Sequence, residues 1–197
     1  MSKEKTEGQK LAEQLLYTRP HAAEASEELN KAADEFCEGY KAFLDNGKTE
    51  RDVTTYTVKL LEENGYVPFV PGTAYAPGAK VYLNNRGKSV IAATMGQKPL
   101  SEGVHMHIAH TDAPRLDIKP NPLYENSELA LLKTHYYGGI RKYQWVAMPL
   151  ALHGVIYKAD GTQVNVCIGE DEGDPVFCIT DLLPHLSADQ NERKLNE

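Results

Sequence analysis

The triplet His110–Thr111–Asp112 holds the residue types and spacing in this chain that best suit metal chemistry. A neutral imidazole is the commonest transition-metal ligand among protein side chains. A carboxylate close to such a ring in sequence can orient it and raise its basicity. The triplet therefore predicts a metal ligand at His110, with a carboxylate near enough to orient the ring.

Two further histidines, His105 and His107, precede this triplet in the run Val104–Ile108. The run alternates apolar and polar side chains, which predicts a half-buried strand with both histidines on one face. Two-metal hydrolases often carry an H-x-H-x-D-H run, but Ala109 stands where that run needs its aspartate. We therefore interpret His105 and His107 as polar-face residues, whereas His110 lies beyond the strand, where sheets gather ligands. A mononuclear hydrolase that uses all three histidines remains an alternative.

The other candidate sites are better explained by structural roles. The acidic run Glu170–Asp174 lacks the spacing of a calcium loop and is interpreted as a solvated loop. His185 stands alone, and by its chemistry alone it is structural, while the Tyr136–Gly139 stretch and Trp145 suggest strand and turn packing. No glycine-rich phosphate loop supports nucleotide chemistry.

Composition and charge exclude several classes of protein. A net charge of -7 argues against nucleic-acid binding, which usually needs a basic face. The charged start Met1–Lys5 leads into no apolar signal region, and no apolar stretch approaches the roughly 18 residues of a membrane span. Three cysteines without a CxxC pair or an adjacent base favour reduced thiols rather than nucleophiles. We expect a soluble, cytoplasmic protein.

The elements that must position the triplet begin with helices. Ser26 is predicted to cap one helix that ends at Gly47, and Thr49 a second helix that ends at Gly65. Asp52 lies near the capping-box position of the second helix. The apolar residues of both segments recur at helical spacing, so each helix has a face suited to packing.

Strands follow these helices. Val81–Leu83 and Ser89–Ala93 flank a turn at 84–88, which predicts a hairpin, and the Val104 strand comes next. Helices followed by strands predict an α/β or α+β domain in which helices pack on a mixed sheet.

Beyond Asp117 the sequence predicts short strands and no helices. Ile118–Leu123 has the alternating prolines of a stiff, extended connector. Several short β-like runs come after it, at 128–135, 146–152, 155–157 and 164–168. We therefore place a domain boundary near Ile118, with one domain over residues 1–118 and a β-rich unit over residues 119–197.

The segment His107–Leu116, followed by Lys119–Pro120, resembles the aspartyl aminopeptidase and aminopeptidase I family of zinc exopeptidases. Further motifs of that family follow in the same order through nearly the whole chain. They are Tyr137–Gly139, Trp145, Leu150–Gly154 and Pro184–Leu186, and a bacterial subgroup adds Ala130–Gly139 and Gly169–Glu172.

This resemblance implies a dinuclear zinc site, which manganese or cobalt could also occupy. His110 would be the first metal ligand, and Asp112 would fix its ring by a hydrogen bond. His185 would help to bind substrate and stabilise the tetrahedral intermediate in a neighbouring subunit's site. The β-rich unit over 119–197 would be part of an inserted dimerisation domain, in a homo-oligomer built from dimers and up to a dodecamer.

The chain departs from the family pattern in sequence and in length. Ala113 replaces a serine found in many members, and Ala147–Met148 replace an Asp-Arg pair, so substrate preference is open. The family's general-base glutamate and remaining metal ligands belong to a C-terminal portion that this chain does not include. The resemblance implies the N-terminal portion of a cytoplasmic aminopeptidase that acts on peptides. The alternative is a non-catalytic chain that assembles with full-length subunits.

Overall fold

A computed structural model describes residues 5–17, 21 and 24–194 of the chain. The chain divides into two compact units, Met1–Leu44 and Asp45–Glu197. The first unit contains α1 (Glu7–Leu15) and most of α2 (Glu27–Asn46). The Ser26 hydroxyl accepts a hydrogen bond from the Leu29 amide at 3.2 Å, which confirms the predicted cap of α2.

The second unit opens with α3 (Glu50–Glu63), whose ends are those that the sequence predicts. Thr49 and Asp52 form a reciprocal capping box, in which each side chain accepts a hydrogen bond from the other's backbone amide. The chain leaves α3 through Gly65 at φ +82°, a left-handed conformation that glycine adopts without strain. This helix packs on the first sheet through contacts with two of its strands.

The first sheet contains β1 (Val67–Pro68), β2 (Lys80–Asn85) and β3 (Ser89–Thr94). β1 pairs in parallel with β2, and β2 pairs antiparallel with β3 through the predicted hairpin. Val81 and Tyr82 of β2 are buried, and the Tyr82 hydroxyl donates to Glu62 of α3 at 2.6 Å. The expected α/β class is confirmed, since α3 packs on a sheet that has both parallel and antiparallel pairs.

The predicted strand Val104–Ile108 is wrong. Residues 103–114 contain no helix or strand, and Val104, Met106 and Ile108 are 60%, 69% and 84% exposed. Alternation gives a segment two faces, but a strand also needs a neighbour to pair its backbone N–H and C=O groups. No described strand pairs with this segment, so the loop that carries His110 is not part of a sheet.

The second sheet is the antiparallel pair β4 (Arg115–Asn126) and β5 (Leu129–Tyr137). Ile118–Leu123, predicted as a connector, is instead the middle of β4, although it is extended as expected. Between these two residues β4 advances five positions while β5 advances two, which marks a bulge containing Pro120 and Pro122. The predicted domain boundary at Ile118 falls within β4 and stays a prediction.

A third hairpin, β6 (Leu152–Tyr157) and β7 (Gln163–Ile168), turns at Gly161 as the sequence predicts. The predicted run 146–152 forms two isolated bridges, Val146 with Ile179 and Leu150 with Phe177, before β6 begins. None of the helices in the described ranges has both the length and the apolar character that crossing a membrane requires.

Candidate functional site around His110

The loop at 103–114 brings His110 and Asp112 into direct contact. The His110 Nδ1 atom lies 2.8 Å from the Asp112 carbonyl oxygen and 3.3 Å from a carboxylate oxygen, Oδ1, of the same residue. A carbonyl oxygen can only accept, so in the neutral imidazole this contact favours the proton on Nδ1 and leaves the lone pair on Nε2. The His110 side chain is 83% exposed, so its Nε2 atom is accessible. This is the arrangement that a metal-ligating histidine uses.

Asp112 is held from its other side by a tyrosine. The Tyr137 hydroxyl donates to the Oδ2 atom of Asp112 at 2.8 Å, across 25 positions of sequence. This hydrogen bond is the main reason that the pKa of the Asp112 carboxyl is lowered, and it raises the pKa of the Tyr137 phenol. Asp112 therefore stays an ionised acceptor between a histidine and a tyrosine.

Arg115 connects this pair to the surrounding elements. Its guanidinium lies 4.1 Å from the centroid of the Tyr137 ring, in cation–π geometry. Its Nε atom donates to Asp117 at 2.8 Å, and its Nη1 atom lies 3.7 Å from the Glu50 carboxylate at the start of α3. The site thus extends from His110 through Asp112, Tyr137 and Arg115 to the N-terminus of a helix.

The sequence interpretation missed the roles of Tyr137 and Arg115. In the sequence, Tyr137 lies in a stretch that suggests strand and turn packing, and Arg115 lies in the family-like segment His107–Leu116 with no role of its own. The two residues are register partners on β4 and β5, so their contact depends on a pairing between distant segments. The available signal was that Tyr137–Gly139 is also one of the family-like motifs, which distinguishes it from a stretch that only packs.

The other predicted site residues lie apart from this network. His185 is exposed in a short 3-10 helix, Pro184–Leu186, and both His105 and His107 are exposed in the irregular loop. Within residues 5–17, 21 and 24–194, no three His, Cys, Asp or Glu side chains are grouped to hold a metal ion. The mononuclear alternative with three histidines therefore has no ligand geometry in the described part of the chain.

The donor set also tests the implied zinc. A catalytic zinc ion takes about three protein ligands and keeps one open position. Of the described residues, His110 fits one such ligand position, and they do not supply a complete site.

The acidic run Glu170–Asp174 is an irregular, largely exposed loop, and two of its carboxylates also have local partners. Asp174 accepts a hydrogen bond from the Gly169 amide at 2.8 Å, and Glu170 lies 2.9 Å from the Nε2 atom of His153. Desolvation, followed by the charge of Glu170, raises the pKa of the Cys167 thiol, which disfavours a nucleophilic thiolate. These contacts favour a structural loop.

Comparison with known proteins finds one family across most of the chain. Residues 43–197 match the family model described as aminopeptidase I zinc metalloprotease (M18). The chain is 52% identical over 162 residues to a "probable M18 family aminopeptidase 1" of Clostridium acetobutylicum, covering 80% of this chain and 35% of that protein.

Solved structures agree with this match. Aminopeptidase I from Borrelia burgdorferi B31 superimposes with a TM-score of 0.76 at 41% identity, covering 81% of this chain and 40% of that one. The mApe1 dodecamer of S. cerevisiae has a TM-score of 0.63 at 20% identity, covering 77% of this chain and 36% of that one, a likeness of fold alone. The chain therefore spans well under half the length of the relatives that it matches.

Proposed function

Since this chain belongs to the M18 family of aminopeptidase I zinc metalloproteases, we propose that it forms the N-terminal part of a metallo-aminopeptidase. The reaction is hydrolysis of the first peptide bond of a peptide substrate. Water is added across the C–N bond, which releases a free amino acid and a peptide with a new α-amino group.

The observation that carries this proposal is the geometry of His110. Its Nδ1 atom is engaged by Asp112, and its exposed Nε2 atom keeps a lone pair for a metal ion. In this proposal His110 is one ligand of a dinuclear zinc site, and manganese or cobalt are possible replacements, since such nitrogen and oxygen ligands accept all three. Asp112 orients the ring, and the remaining ligands come from outside the described residues.

Residues 119–197 have a proposed role in assembly. We infer that residues 119–197 are part of a dimerisation domain and that His185, exposed in its 3-10 helix, contributes to a neighbouring subunit's site. The dodecamer formed by the yeast protein of similar fold supports a homo-oligomer by analogy. The three free cysteines support a cytoplasmic location.

A second candidate function rests on the incomplete ligand set. Among the described residues, no three possible metal ligands lie close enough together to hold an ion. The chain by itself therefore suits a non-catalytic role as an assembly partner of full-length subunits. This role would keep the family fold and any subunit contacts while leaving catalysis to the partner.

The deciding experiment measures metal-dependent release of N-terminal residues from peptides. The 197-residue chain is assayed alone and after co-expression with the complementary C-terminal portion of the Clostridium acetobutylicum relative, with zinc, manganese or cobalt or with a chelator. His110→Ala is the test variant, and His105→Ala is the matched control from the same loop.

We expect activity in the complemented sample that chelation and His110→Ala reduce at least 100-fold and that His105→Ala leaves unchanged. Activity of the chain alone would contradict the assignment of the other ligands to the C-terminal portion. Silence in every sample, with a stable complex between the two portions, would favour the assembly role.

A further inference from the structure

We propose that Tyr137 is a positioning residue for His110 and that it acts through Asp112. The Tyr137 hydroxyl fixes the Oδ2 atom of Asp112 at 2.8 Å, while Oδ1 and the backbone carbonyl of Asp112 face the His110 Nδ1 atom. The ring is thereby held with its Nε2 atom free. The functional meaning rests on the proposed role of His110 as a ligand, but the contact and its test need no bound metal.

Asp112 needs such support because packing alone does not hold it. Its side chain is 42% exposed, and an exposed aspartate is free to change its rotamer. Here its two carboxylate oxygens are divided, with one toward His110 and the other toward Tyr137. A hydrogen bond to an ionised carboxylate is stronger than one between neutral groups, so the tyrosine contact selects this rotamer.

Tyr137 is itself held in place from the neighbouring strand. Arg115, its register partner on β4, lies over its ring at 4.1 Å from the centroid. Arg115 is fixed in turn by Asp117 at 2.8 Å and lies 3.7 Å from Glu50 of α3. Contacts with α3 and β4 therefore hold Arg115, and Arg115 holds the Tyr137 ring. The Tyr137 hydroxyl in turn contacts the irregular loop at Asp112.

The backbone beside Tyr137 also keeps the loop close. Gly138 has φ +72°, and a Cβ atom at this position would lie 3.5 Å from the Cα atom of Pro114. The end of β5 thus turns directly against the loop that carries Asp112. The backbone at the end of β5 therefore places the Tyr137 hydroxyl within reach of Asp112.

The test reads the tautomer of His110 in the 197-residue chain without metal. With 15N-labelled histidine and mildly alkaline conditions, long-range proton–nitrogen spectra show which ring nitrogen carries the proton. Spectra are recorded in solution, or by magic-angle spinning if the chain forms large assemblies, and His110→Gln assigns the signal. A peptide of residues 105–116 gives the ratio for an unpositioned ring.

We expect the wild-type ring to favour the Nδ1–H form over the peptide, and Tyr137→Phe to return it to the peptide's ratio. Tyr136→Phe is the matched control, because the neighbouring Tyr136 ring stacks on His135 at 5.3 Å between centroids and should leave His110 unchanged. His153, whose Nε2 atom contacts Glu170 at 2.9 Å, reports folding in the same spectrum.

An unchanged His110 tautomer in Tyr137→Phe, with the His153 signal in place, would overturn the proposal. If Tyr137→Phe loses the His153 signal, Arg115→Met replaces it, because it removes the guanidinium that holds the Tyr137 ring and leaves Asp112 in place. A shift in the same direction is then expected, and an unchanged tautomer would overturn the proposal. A biased tautomer, together with no peptidase activity even after co-expression with the C-terminal portion of the relative, would reject the proposed function and leave the positioning role standing.

Discussion

Short hydrogen bonds lower the pKa of two aspartate side chains in this chain. The Asp112 carboxyl has a lowered pKa chiefly through Tyr137, and the Asp160 carboxyl has one chiefly through Thr162. Asp160 lies in the turn between β6 and β7, where its Oδ1 atom accepts from the Thr162 amide at 2.9 Å. In both cases hydrogen bonds to the charged form keep the proton away, so folding and protonation are linked.

The turn at Asp160 should make stability depend on acid. Because the pKa in the folded state is lowered, the contribution is fully present above the ordinary value of 3.8 and is lost as pH falls through the folded-state pKa. We expect the free energy of unfolding, measured by urea denaturation over a series from about pH 5 downward, to fall less steeply in Asp160→Asn.

Thr162→Val is the companion variant, since it removes the hydroxyl donor and keeps the backbone amide. Its acid dependence should lie between those of the wild type and Asp160→Asn. Equal pH dependence in all three chains would refute the link between this turn and acid stability.

At the start of α3, residues close together in sequence stabilise the helix. Thr49 and Asp52 satisfy amide groups at the start of α3 that would otherwise lack intrahelical partners. The same helix presents Glu50 to Arg115, so its first turn also supports the candidate site.

Removing the cap should therefore cost stability in a predictable amount. We expect Thr49→Ala to lower the free energy of unfolding by about 1 kcal/mol, as is typical for loss of an N-cap side chain. Thr55→Ala, at an exposed position inside α3, is the control and should change it by only a few tenths of a kcal/mol. Chemical denaturation checks both variants, and equal effects would argue that the cap contributes nothing specific.

Local interactions also explain which features the sequence could predict. The Ser26 and Thr49 caps, the hairpin turn near Gly87 and the contact between His110 and Asp112 each involve residues within a few positions. Those residue types have their preferences without help from distant segments, so they could be predicted.

Features that need a distant partner could not be predicted in the same way. The run Val104–Ile108 has the pattern of a strand but no described strand to pair with. The contact of Tyr137 with Asp112 required the β4–β5 register, and the prolines in β4 concealed a strand that a bulge accommodates. In each case the missing information was pairing, which one sequence does not encode locally.

At the scale of the whole molecule, large apolar side chains are exposed along the His110 loop. Val104, Met106 and Ile108 follow one another at two-residue spacing, and each is at least 60% exposed. Exposed large apolar side chains so close together in sequence favour association between molecules.

We therefore expect the isolated 197-residue chain to elute from a sizing column as aggregate or large oligomer. The triple variant Val104→Thr, Met106→Gln and Ile108→Thr should shift the population toward smaller species and reduce binding of an apolar dye. His105→Gln with His107→Gln, on the alternate positions, is the control and should change neither measurement. A compact wild-type monomer would contradict the expectation.

The bulge in β4 has a protective consequence of a different kind. Among the described strands, β4 pairs only with β5, so its outer side is an open edge on which another chain could template an amyloid-like ladder. Pro120 and Pro122 donate no N–H there, and the three extra residues of the bulge break the spacing of the remaining groups. A strand of another chain therefore finds no continuous row of hydrogen-bonding groups on β4, and intermolecular pairing at this edge is disfavoured.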